Sequence, residues 1–199
     1  MSREAFVTAR GVRLQADQLE LREDQLRLGL WMFLATVTML FAAFVSAYIV
    51  RRSGTDWRQV QLPAMLWVNT LILAVSSVAL EAASRSGFRL RWRRAELAMG
   101  AALAGGLGFL AGQFVAWREM MAAGIYLPTS PHASFFFVIT GAHALHVVAA
   151  LAVLTWGAVA TRSGATDVPA WAARMELCRT FWHYLGAVWL VLFALVSLY

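Results

Sequence analysis

The chain has 199 residues, is 60% hydrophobic and 14% charged, carries a formal net charge of +6, and has a mean hydropathy of +0.63. Soluble domains are roughly 45–50% apolar, so this composition excludes an ordinary water-soluble fold and points to a polytopic, all-α membrane protein. All 17 basic residues are arginines lying between apolar runs, which reads as topology and not as a nucleic-acid surface, and the single Cys178 excludes a disulfide or cysteine-based metal cluster within the chain.

Residues 1–27 are polar, with five arginines against five acids, and lack the apolar core and small-residue cleavage site of a secretory signal. They read as a cytoplasmic segment in which Leu14, Leu19, Leu21, Leu26 and Leu28 suggest an amphipathic lead-in helix, lying on the membrane surface or against a partner. The rest, 28–199, reads as one transmembrane domain of five helices. About twenty apolar residues cross a bilayer, and runs at about 28–50, 64–82, 96–117, 134–160 and 180–199 meet that length. In the third run Ala104, Gly108 and Gly112 repeat every four residues, a spacing that lets two helices approach closely and is expected to serve packing within this bundle. Pro128 and Pro131 are expected to keep the loop before the fourth run non-helical, leaving His132 in an outer loop.

Thirteen arginines flank one side of the spans (the N-terminal segment, the Arg85–Arg94 loop, Arg162, Arg174 and Arg179) and four the other (Arg51, Arg52, Arg58 and Arg118). The positive-inside rule then puts the N-terminus in the cytoplasm and the C-terminus outside.

His143 and His146 share one face of the fourth span. An ionisable residue inside a membrane span is a functional candidate by default. A zinc, copper or haem site needs more ligands than a pair three residues apart supplies, and His183 on the last span is the nearest complement. The alternative is that the imidazoles are neutral and hydrogen-bonded in a helix bundle. Glu81 and Glu96 sit at span ends, and no Asp, Glu or Arg falls mid-span, where a pump or carrier places its carboxylate. No phosphate loop or Ser/His/Asp arrangement is present in the sequence.

The run Ser134–Val147, S-FF--TG-H--HV, resembles subunit III of the haem–copper terminal oxidases, the cytochrome c and quinol oxidases. FWHYLGAVWL at Phe181–Leu190 resembles the final helix of that family, with Glu176 seven residues before His183. Asn69-Thr70 with Ser76-Ser77, Phe109-Leu110 with Gln113, and Gly29–Phe41 are similar to the family's other helices, so the likeness covers all five spans in order. It departs at Val37, Ala116 and Gly186, where the family carries acidic residues.

The resemblance implies the five-helix bacterial form of the subunit in the cytoplasmic membrane. Haem and copper would reside in the partner subunit I, subunit II would complete the complex, and this chain would hold no cofactor beyond bound phospholipid. It implies a non-catalytic role, stabilising subunit I and holding lipid in a cleft with spans one and two facing the other three. Lipid-binding or structural residues would be Thr140, His143, His146, Arg162, Glu176, Trp182 and His183. Two alternatives stay open: a histidine-ligated membrane haem or redox carrier, and a subunit-III-like accessory protein of a nitric oxide reductase.

Overall fold

The computed structural model describes residues 3–57, 60–162 and 168–198, and their side chains except those of residues 3–20, 22 and 23. Leu14 and Leu19 of the lead-in, Arg58, and the loop around Gly164 and Asp167 therefore lie outside the described side chains. The described residues form five α-helices and no strand: α1 Arg3–Arg52, α2 Met65–Phe88, α3 Trp92–Ala122, α4 Pro131–Arg162 and α5 Val168–Leu198. Each contains a stretch long and apolar enough to cross a membrane. Leu71, Val75, Leu97, Leu107, Leu145 and Leu190 point outward, each more than half exposed. Such a surface suits lipid, and a helix, whose interior backbone groups bond within it, is one of the two architectures that can span a bilayer. The chain is an integral membrane protein.

The chain divides into two units. The first, Met1–Val37, is the N-terminal part of α1. The expected lead-in helix joins the first span without a break, because α1 runs from Arg3 to Arg52. The second unit, Thr38–Tyr199, holds the end of α1 and helices α2 to α5.

Within the second unit α2 lies most closely along α3 and also meets α5, while α4 packs against both α3 and α5. The close α2–α3 approach comes from glycine. A Cβ on Gly105 would meet Ser76, one on Gly112 would collide with Asn69, and Gly108 lies over Ile72. Ser76 Oγ donates to the Ala102 carbonyl across this seam, 2.8 Å away. The expected stripe is thus shifted: Gly105 takes the place of the exposed Ala104. The expected grouping of spans one and two against the rest also changes, since α2 belongs with α3 and α5.

Helix ends run beyond the apolar runs. α2 reaches Phe88 and α3 starts at Trp92, leaving only Arg89–Arg91 between them, with Leu90 at a positive φ of 55°. α5 begins at Val168, with Pro169 in its first turn where a missing N–H costs nothing. α4 begins at Pro131, and the expected loop around His132 is corrected accordingly: Ser130 Oγ accepts the Ala133 N–H at 3.2 Å, a side-chain cap with proline at the first helical position. His132 is fully buried in that first turn.

Candidate functional site

Three tryptophans, the buried Trp171 and Trp189 and the half-buried Trp117, tie the helices together by one repeated device. Trp117 Nε1 on α3 donates to Thr140 Oγ1 on α4 at 3.0 Å, and Thr140 donates to the Phe136 carbonyl one turn back. Trp171 on α5 donates to Thr161 on α4 at 3.0 Å, and Thr161 to Gly157. Trp189 on α5 donates to Thr70 on α2 at 3.0 Å, and Thr70 to Leu66. A helical threonine returns its hydrogen to the carbonyl four residues back, leaving its oxygen free to accept, so the indole N–H finds a partner inside lipid.

His143 lies between two of these relays. It is 1% exposed, and its ring sits 5.2 Å from Trp189, 5.7 Å from Phe109 and 6.2 Å from Phe41. Neither of its nitrogens has a protein partner. His146, one turn on, is half-buried beside Phe41 at 5.4 Å. Its Nδ1 donates to the Ala142 carbonyl at 2.7 Å. A carbonyl only accepts, so that nitrogen carries the proton. His183 is exposed, bonded in the same way to Arg179 O at 2.8 Å, and lines a groove of about 280 Å³ between α2 and α5 with Thr70, Ser77, Gly186 and Leu190. A Cβ on Gly186 would meet open space there. The histidines thus occupy different surroundings, and among the described residues no three His, Cys, Asp or Glu side chains are grouped as a metal ion would need.

The other candidates spread along the molecule. Trp182 is buried over Gly106, and its indole N–H has no protein partner. Arg162 Nε pairs with Glu96 at 3.2 Å, and Glu176 is exposed on α5. Thr140 and His143 therefore share the interior, whereas Arg162, Glu176 and His183 are surface residues. At the same end as Arg162, Glu81 holds Arg85 at 3.2 Å and Arg179 at 2.8 Å, and Arg174 lies 5.1 Å over the Trp156 ring. Trp171 packs over Gly87 against Phe88 and Trp92.

At the other end, Tyr48, Trp57 and His132 form an edge-on triangle with centroids 5.0, 5.4 and 6.1 Å apart. The Val60 N–H reaches His132 Nδ1 at 3.4 Å. Arg51 grips both carboxylate oxygens of Asp56, at 2.7 and 2.5 Å. The Arg51 guanidinium holds the Asp56 carboxyl below the usual carboxylate range. Sequence reasoning missed this cluster, although Ser130-Pro131 is a helix-start signal that would have drawn His132 inward. It also missed the buried Gln113 and the half-buried Trp117, which their four-residue spacing from Phe109 places on one face.

An all-α, five-span membrane protein whose interior polar groups bind helix to helix is the class this geometry defines. The cytochrome c oxidase subunit III family model matches residues 9–199. The chain belongs to that family. It is 31% identical over 188 residues to cytochrome bo(3) ubiquinol oxidase subunit 3 of Pseudomonas putida, covering 86% of this chain and 84% of that protein. It is 29% identical over 203 residues to cytochrome c oxidase subunit 3 of Thermostichus vulcanus, covering 96% and 95%. A probable cytochrome c oxidase subunit 3 of Mycobacterium tuberculosis is 29% identical over 188 residues, covering 88% of each chain.

Proposed function

We propose that this chain is the non-catalytic subunit III of a bacterial haem–copper terminal oxidase, in the cytoplasmic membrane and the aerobic respiratory chain. Subunit I, carrying haem and copper, and subunit II are its partners. The chain stabilises subunit I during turnover and holds phospholipid. Residues 1–27 lie in the cytoplasm, 28–199 make the membrane domain, and the C-terminus is outside. The observation that carries the reading is the family match along residues 9–199. The geometry adds support, because the histidines diverge: His143 is enclosed by aromatic rings, His146 is bonded to its own helix, and His183 faces the α2–α5 groove. That groove is the lipid site of this reading, with Thr70, Ser77 and His183 along an acyl chain and Gly186 leaving room for it. Thr140, His143, His146, Arg162, Glu176 and Trp182 hold helix positions.

The test is to purify the oxidase with and without this chain. Haem spectrum and initial turnover should match in the two preparations, while activity without the chain decays faster in sustained turnover. Immediate loss of oxygen reduction with subunit I assembled and its metals in place would overturn the reading. So would a reducible Soret band from the chain alone.

A further inference from the structure

Helices α2, α3 and α4 bring three uncharged polar side chains into the membrane interior at one level. Asn69 on α2 is 0% exposed, and Gln113 on α3 and His143 on α4 are each 1% exposed. Several contacts fix the common level. Asn69 Oδ1 lies against Gly112, the residue before Gln113. Its neighbour Thr70 accepts the Trp189 indole N–H, and Trp189 packs on both His143 and Phe109, which stand 5.7 Å apart. Gln113 falls between Phe109 and Trp117 on one face of α3, and those two residues touch His143 and Thr140 of α4. All six side-chain nitrogen and oxygen atoms of Asn69, Gln113 and His143 are buried without a protein partner.

Buried polar atoms in folded proteins are bonded in the large majority of cases. The protein donors at this level are already committed: Thr70 to Leu66 O, Thr140 to Phe136 O, Trp117 to Thr140 and Trp189 to Thr70. Backbone groups in the middle of α2, α3 and α4 are used within their helices. One direct bond between the two amides would engage only two of the six atoms. The complement needed is a small group that both donates and accepts, since each amide offers both functions and a neutral imidazole offers one of each. Asn69, Gln113 and His143 carry no formal charge, so an ion finds no counter-charge among them. We propose that Asn69, Gln113 and His143 form a binding site for ordered internal water within the bundle. Buried waters typically make about three hydrogen bonds each, so one or a few molecules at this level satisfy the set.

The experiment is a density map of the protein in its native membrane complex, at a resolution that shows ordered water. Water density within hydrogen-bond distance of at least two of Asn69, Gln113 and His143 is expected. Density at fewer than two of them overturns the assignment, as do amides bonded to one another or density too large for water. The map reports on α2, α3 and α4 whichever partner subunits accompany the chain, so its outcome is independent of the oxidase reading.

Discussion

The two ends of the bundle are closed by similar aromatic geometry and different polar chemistry. At the end with the α2–α3 turn, Trp171 packs edge-on against Phe88 and Trp92, its N–H is held by Thr161, and ion pairs join α2 to α5 and α3 to α4. At the end where α4 begins, Tyr48, Trp57 and His132 meet at similar distances, but Tyr48 Oη and Trp57 Nε1 have no protein partner, and the polar bonds are the long Val60 N–H to His132 Nδ1 contact and the exposed Arg51–Asp56 pair. Ring packing is common to both ends. Polar bonds then add the penalty for breaking an end, because a buried donor that loses its partner costs more than the bond itself contributes.

Four substitutions test that contrast, the largest effect first. Gly87→Leu drives a side chain into the rigid Trp171 indole and separates α2 from α5. Overpacking of this kind costs about 1–3 kcal/mol or more, read as a lower melting temperature of the detergent-solubilised complex. Next, Thr161→Val keeps the shape and strands the Trp171 N–H, for roughly 1–2 kcal/mol, while Thr161→Ser should restore the wild-type value. Glu96→Gln removes an exposed pair with Arg162 and should cost about 1 kcal/mol or less, shrinking further in high salt. Last, Tyr48→Phe should be nearly silent, since no protein group loses a partner. A Tyr48→Phe loss as large as that of Thr161→Val would erase the distinction between the two ends.

The five spans and their order are legible in hydropathy, because lipid demands long apolar helices. Their ends are not. Helices continue past the hydrocarbon core wherever the backbone still needs internal bonds, so Arg85 is helical and α5 starts twelve residues before the expected 180. The site is legible in part. Spacing put His143 on one face of the fourth span, but nothing in the sequence tells that Thr140 and His143 are interior or which helix supplies each partner. Trp189 reaches Thr70 across 119 positions, a pairing that only the folded arrangement creates.

The α2–α3 seam differs from the tryptophan relays in what it requires. Its glycine contacts, the Ser76 to Ala102 bond and the Arg89–Arg91 turn all lie within α2, α3 and the residues between them. Trp117, Trp171 and Trp189 need α4 or α5. As chains emerge from the ribosome N-terminus first, the hairpin has all its own contacts before α4 is synthesised. The α2–α3 hairpin is thus self-contained in its contacts, whereas each tryptophan relay joins it to a later helix or joins the later helices to each other.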